Sequence, residues 1–317
     1  MGKYITSITE AIGNTYLLRL DRLAAQLKFD GEIYAKLEHL NPSFSKKDRI
    51  ALGMIEIAEK KGLLKPGQPV LEVTSGNTGT GLALVCAAKG YRFICCMSRG
   101  NSVERVKMIQ AFGGEMVLVD QAPGAVKGKV SNEDLMLVEQ KAEEILNETG
   151  AYYVNQFNNA DNSVAQEAAA EEMWEQSEGK LDAFADFIGT GGTFAGYARA
   201  LKRHNPAIRC YAVEPEGCAY YKAEMVPGSS HMIQGGGYAK DVVNVERGNI
   251  DGCVIINDEE SIGMTRKLAA VEGIFGGFSS GANVAAAVKL LNGEEKGKKI
   301  GVVINDCGLK YMSTALF

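Results

Sequence analysis

The stretch of this chain with the most chemical potential is Asn41-Pro42-Ser43-Phe44-Ser45-Lys46-Lys47-Asp48-Arg49. Asn-Pro and two serines favour a turn and a helix N-terminal cap, so Lys46 and Lys47 enter the first turn of a helix expected from Asp48 to about Lys61. A cation at a helix N-terminus opposes the helix dipole. An amine that gives up its proton near neutral pH is what Schiff-base chemistry uses. Taken alone, the two lysines read better as solvated surface charges, and the rest of the chain has to decide.

Three further loops carry donors in patterns that suit small anions. Gly189-Thr190-Gly191-Gly192-Thr193 follows an apolar strand and opens a helix, where unhindered N–H groups and two hydroxyls make an anion cup. A dinucleotide site is the rival for this loop. Its G-x-G-x-x-G pattern needs a small residue where Phe194 stands, although Glu214 does end the next strand. A monophosphate cup is favoured. Thr74-Ser75-Gly76-Asn77-Thr78-Gly79 is a second strand-to-helix loop, suited to a carboxylate, with simple helix capping by Thr or Ser as the alternative. Gly276-Gly277-Phe278-Ser279-Ser280-Gly281-Ala282 is the third. A serine there could meet a ring nitrogen without adding charge, or could cap a helix expected over 281–291.

Around these loops the apolar periodicity alternates. Strands are expected at 32–38, 68–73, 92–97 and 115–119, with helices between them from Asp48, from Leu82 and from Val103. Residues 120–134 form a polar excursion before a helix at about 135–148. A second alternating set begins with helix 163–178 and strand 183–188, and ends at strand 300–304. Two α/β units with parallel sheets fit this pattern.

Composition narrows the function classes. A net charge of −5 without a basic stripe argues against nucleic acid as partner. The opening MGKYITSITE is neither a signal peptide nor an apolar span, so a cytoplasmic protein without membrane attachment is expected. Seven cysteines without a C-x-x-C read as buried free thiols, and three scattered histidines make a metal site or a Ser-His-Asp triad a poor reading.

A helix-terminal lysine, a phosphate cup and a carboxylate loop together suit pyridoxal phosphate acting on an amino acid. In this combination the chain resembles the cysteine synthase (O-acetylserine sulfhydrylase) family of fold type II pyridoxal phosphate enzymes. The likeness runs through Ile12-Gly13-Asn14-Thr15, NPSFSKKDR, TSGNTG, Ser102-Val103-Glu104-Arg105, Asn155-Gln156-Phe157, GTGGT, Val213-Glu214-Pro215, FSSGA and the terminal Tyr311–Phe317. It implies two three-layer α/β/α domains of the tryptophan synthase β-subunit-like fold. The larger would comprise 1–45 plus 154–317, and the smaller, mobile one 46–153, with the active site in the cleft between them. It also implies a homodimer.

The resemblance assigns roles residue by residue. Lys47 aligns with the Schiff-base lysine, Asn77 with the residue at the cofactor O3′, and Gly189, Thr190, Gly191, Gly192 and Thr193 with the phosphate cup. Ser279 aligns with the partner of the pyridine nitrogen, and Thr74, Ser75, Thr78 and Gln156 with the substrate-carboxylate loop and its helper. The implied chemistry is β-elimination or β-replacement through an aminoacrylate, with Lys47 as base. One departure is informative. The loop Gly235-Gly236-Gly237-Tyr238-Ala239-Lys240-Asp241-Val242 places Asp241 where the family has an aliphatic residue. A carboxylate there would repel hydrosulfide, yet could hold a thiol and activate water. This resembles the cysteine (hydroxyl) lyases, which make hydrogen sulfide and L-serine from L-cysteine and water. A cysteine synthase using O-acetyl-L-serine, lanthionine formation from two cysteines, and an Asp241 that is solvated or paired with Lys240 remain open alternatives.

Overall fold

The computed structural model describes residues 4–101, 103–124 and 130–317. Ser102 and residues 125–129 of the polar excursion lie outside the described residues. The chain forms two compact units. One comprises the residues up to Ile12 together with Lys47–Asp161, and the other Gly13–Lys46 with Asn162–Phe317. The chain passes between them at the Ile12–Gly13, Lys46–Lys47 and Asp161–Asn162 peptide bonds.

The longer unit opens with β1 (Leu17–Arg19), α1 (Asp21–Leu27) and β2 (Glu32–Lys36). Neither β1 nor α1 has a clear signature in the sequence. The helix is seven residues long and ends on Lys28 in the left-handed region (φ 58°), not on the glycine that usually marks such an end.

The other unit then runs α2 (Lys47–Lys60), β3 (Val70–Val73), α3 (Asn77–Lys89), β4 (Phe93–Ser98), α4 (Val103–Ala111), β5 (Glu115–Val119), α5 (Asn132–Thr149) and β6 (Tyr152–Tyr153). Its sheet has the order β5-β4-β3-β6, and every pairing is parallel. Along β4 the pleat sends Phe93 and Cys95 to one face, with Ile50, Met54, Leu82 and Ile109, and Ile94 and Cys96 to the other, with Val138, Ala142 and Ile145. Both faces are therefore covered. That is why β4 is buried throughout and reads as a continuous apolar run. The described ends of the polar excursion are pinned by the buried Asp134, whose carboxylate accepts the Ala122 N–H at 2.7 Å and the Ser131 N–H at 2.8 Å. These N–H donors hold its pKa below the usual carboxylate range.

The longer unit resumes with α6 (Asp161–Gln176), β7 (Ala183–Phe187), α7 (Gly192–His204) and β8 (Arg209–Pro215). A short hairpin, β9 (Cys218–Ala219) with β10 (Glu224–Met225), leads to β11 (Gly252–Ile256), α8 (Asp258–Glu272), α9 (Phe278–Leu291) and β12 (Lys299–Val303). The sheet order is β1-β2-β12-β7-β8-β11, antiparallel only between β1 and β2. One face packs Ala183, Ala185 and Val213 against α8 and α9, and the other packs Phe184 and Ala212 against α6 and α7. Each unit is thus a three-layer α/β/α sandwich, as the family resemblance implies.

Two helices start earlier than periodicity suggests. α3 begins at Asn77, not Leu82, and α9 at Phe278, not Gly281. Glycine and threonine are weak helix formers, but here close packing requires the glycines. A Cβ on Gly81 would lie 3.1 Å from the Lys47 carbonyl oxygen, and one on Gly281 only 2.3 Å from the Ser261 carbonyl oxygen of α8. Gly281→Ala is therefore expected to force α8 and α9 apart and to cost about 1–3 kcal/mol, the usual range for overpacking. Urea unfolding of the variant against the parent measures this.

Candidate functional site

Parallel strands expose the carboxyl ends of neighbours along one edge, where ligands bind in open α/β sheets. In the longer unit, β2, β12 and β7 lie side by side and parallel. Beyond their carboxyl ends come the Asn41–Lys46 segment, Asn305 and the Gly189–Thr193 loop respectively. In the other unit, β3 and β6 are parallel neighbours, and their ends lead into the Thr74–Gly79 loop and Gln156.

The three glycine-rich loops share one local feature. α3, α7 and α9 have Gly76, Gly191 and Gly277 at the N-cap, and none of the three receives a side-chain capping bond. By contrast α5 and α8 carry full capping boxes from Ser131 and Asn257. The expectation that Thr74 or Ser75 caps α3, and that a serine caps α9, is therefore corrected. Ser279 and Ser280 lie inside the first turn of α9. A helix leaves its first four N–H groups without partners inside the helix, and a glycine cap keeps the way open for an anion to meet them.

The 189–193 loop is shaped by close backbone approach. A Cβ on Gly189 would meet the Gly235 carbonyl oxygen at 2.4 Å, and Gly191 sits at φ 80°. A Cβ on Gly192 would overlap Asn162 Oδ1 at 1.9 Å. Asn162 Nδ2 donates to Thr190 Oγ1 at 3.0 Å, and Asn244 Nδ2 to the Thr190 carbonyl at 3.0 Å. The dinucleotide rival fails on two residues. Phe194 is buried in the core against Phe184. The Glu214 carboxylate is occupied by the N–H groups of Tyr220, Tyr221 and Lys222, at 2.8, 2.9 and 3.1 Å.

On α9, Ser279 Oγ accepts from Asn305 Nδ2 at 2.9 Å. The serine proton is then directed elsewhere, so this hydroxyl is set up as a donor. Asn305 is a site residue the sequence reading missed. It stands 26 positions from Ser279, and only the strand order reveals the pair. Lys46 was also unresolved by sequence. Its ammonium is buried and held by Asp186 of β7 at 3.0 Å, and Asn283 Nδ2 donates to the same carboxylate at 2.9 Å. Lys47 differs, opening α2 in the other unit. Asp241 is 54% exposed. It accepts from Tyr221 Oη at 3.2 Å and pairs with Arg247 at 3.2 Å, six residues further on. Neither partner is among the residues that the sequence assigns to the site. Its neighbour Val242 packs at Gly191.

In the unit containing Lys47, Thr78 Oγ1 donates to Gln156 Oε1 at 2.6 Å, and Asn77 is the first residue of α3. The Thr74 carbonyl accepts from Cys95 Sγ at 3.2 Å, and the Ser75 carbonyl from Arg105 at 3.1 Å.

Residues 8–306 match the family described as pyridoxal-phosphate dependent enzyme. The chain belongs to that family. It is similar to the cysteine synthase of Staphylococcus aureus, at 39% identity over 99% of this chain and 98% of the relative. Among solved structures it resembles the O-acetylserine sulfhydrylase isoform 3 of Entamoeba histolytica, with a TM-score of 0.91 and 34% identity over 99% of this chain and 92% of that one. It also resembles a hydrogen sulfide-producing enzyme of Fusobacterium nucleatum, with a TM-score of 0.88 and 36% identity over 98% of this chain and 99% of that one. The protein is a fold type II pyridoxal-phosphate dependent enzyme, as the sequence motifs imply.

The residues present fit that cofactor. The Gly192 cradle admits no Cβ, the α7 N-terminus has no side-chain cap, and Ser279 offers a neutral donor of the kind a pyridine nitrogen accepts. All seven cysteines are free. Cys307 is buried and bridges to the backbone of Gly276, a packing position. Burial pushes the Cys96 thiol up to about 11 and Cys210 up to about 12, which leaves both as inert thiols near neutrality. Gly192→Ala is expected to weaken pyridoxal phosphate binding at least tenfold, about 1.4 kcal/mol, because the methyl group displaces Asn162. Absorbance titration of the cofactor-stripped variant measures it.

Proposed function

We propose that this enzyme works at the β-carbon of L-cysteine, replacing the thiol with water to give hydrogen sulfide and L-serine. Bound pyridoxal phosphate supplies an electron sink for the pair left when Cα loses its proton. The observation that carries the class of reaction is the Ser279 hydroxyl with Asn305 Nδ2 behind it. A neutral donor at the ring nitrogen leaves that nitrogen unprotonated. Less charge is then drawn into the ring, which favours loss of a β-substituent over transamination.

In this reading Lys47 attaches the cofactor and moves the proton at Cα. The Gly189–Thr193 loop holds the phosphate, Asn77 meets O3′, and Thr74, Ser75, Thr78 and Gln156 hold the substrate carboxylate. Lys46 cannot share the role of Lys47, because its ammonium is committed to Asp186. Asp241 accepts a hydrogen bond from the substrate thiol, which leaves Cβ as hydrosulfide with its proton, and then takes a proton from the water that adds in its place; it stands on a loop that touches the phosphate cup through Val242. The resemblance to a hydrogen sulfide-producing enzyme supports the same direction. A homodimer belongs to this reading, as does a cytoplasmic setting, which seven free cysteines suit.

A specific contact favours a second reading, synthesis of L-cysteine from O-acetyl-L-serine and sulfide. Arg247 pairs with Asp241 at 3.2 Å, offsetting the charge that would otherwise repel hydrosulfide. Mass spectrometry of products from L-cysteine in 18O-labelled water separates the two. Labelled serine and sulfide are expected from the parent, with both reduced at least 100-fold in Asp241→Asn, the lower end of a general-base effect. No sulfide from cysteine, with L-cysteine made from O-acetylserine by both proteins, would establish the synthase. Lanthionine as the main product would make a second cysteine the nucleophile.

A further inference from the structure

The residue beneath the proposed carboxylate loop has so far had no role. Glu72, on β3, is 1% exposed in the middle of a parallel sheet. Its Oε2 accepts the backbone N–H of Gln156 at 3.2 Å. Gln156 in turn accepts the Thr78 hydroxyl at 2.6 Å through its side chain. One residue thus closes a ring. Glu72 stands just before the Thr74–Asn77 loop and Thr78 just after it, and Gln156 bonds both. The turn that presents Gln156 places Asn155 at φ 51°, a conformation that needs outside support.

Among the described residues, the groups facing Glu72 bring no cation. Across the sheet stand Cys95 and Cys96 of β4, and on the other side Tyr152 and Tyr153 of β6. Glu139 of α5 adds a negative charge, and the charge of Lys141 acts on Cys96. A carboxylate anion here would lie buried, without a counter-ion, under a loop meant to receive another carboxylate.

Building on the amino acid chemistry argued above, we propose that Glu72 is a positioning residue that works as the neutral acid. It ties Gln156 and Thr78 around the loop without placing negative charge beneath the substrate carboxylate. Burial supports this, raising the Glu72 pKa to about 8 despite its backbone N–H donors. Ionisation above that pH then opposes substrate. At pH 9 only about a tenth of the molecules keep the proton, so apparent affinity falls about tenfold.

The test is titration of the holoenzyme with L-serine, followed by the change in cofactor absorbance between pH 6.5 and 9.5. Ethanolamine, the same amine without the carboxylate, is the control. The parent is expected to lose affinity for L-serine relative to ethanolamine as pH rises through 8, and Glu72→Gln to hold that ratio level. Thermal unfolding gives an independent readout. A raised folded pKa means that the native state keeps a proton the unfolded chain releases from about pH 4.5 upward, so the parent loses stability as pH rises to 8. The Tm of Glu72→Gln minus that of the parent should widen over that window. L-serine binding with the same pH profile as ethanolamine in the parent overturns the inference and leaves the proposed function standing. So does a Tm gap that does not change with pH. No absorbance response to L-serine, L-cysteine or O-acetylserine at any pH overturns both.

Discussion

The constraint on which the site depends is that an α-helix cannot satisfy its own first N–H groups. Most helices solve this with a side chain, as α5 and α8 do with Ser131 and Asn257. α3, α7 and α9 have a glycine there instead. Each of these helices follows the carboxyl end of a parallel strand or a glycine-rich turn, so its open end faces the same edge as the strand termini around it. The substitution of glycine for a capping residue turns a structural requirement into binding capacity, and it happens three times in the places where the proposed chemistry needs donors.

Around those ends, buried polar side chains hold loops that have few apolar contacts of their own. Lys46, Asp186 and Asn283 connect the segment before Lys47, the strand before the phosphate cup and the first turns of α9. Asn305 connects the end of β12 to Ser279. Breaking one partner of a buried pair leaves an uncompensated charge. Such pairs therefore specify geometry more than they add stability. Glycine supplies the complementary device, since the approaches at Gly189, Gly192 and Gly281 leave no room for a Cβ.

Much of this was legible in the sequence because its signals are local. The β-α-β alternation, the GTGGT loop and the TSGNTG loop are contiguous, and each carries its mechanism in a few residues. What sequence could not supply is non-local or non-periodic. α1 has no glycine stop, the first turns of α3 and α9 are built from weak helix formers whose glycines are kept for close packing, and the Ser279–Asn305 and Glu72–Gln156 pairs join distant segments. Asp241 shows the same limit. Adjacency points to Lys240 as its counter-charge, whereas the structure turns the loop at Ala239 (φ 51°) and brings in Arg247, a cation that adjacency does not suggest.

The three glycine-capped helix ends also bear on how the protein endures when cofactor is scarce. A ligand that binds only the folded state adds about 2.7 kcal/mol of stability when present at a hundred times its dissociation constant. That is a sizeable fraction of the roughly 5–15 kcal/mol by which native proteins are stable. A chain that leaves its helix termini for a ligand to complete makes cofactor supply a determinant of its lifetime as well as of its turnover. Unloaded molecules would be the ones a protease clears first.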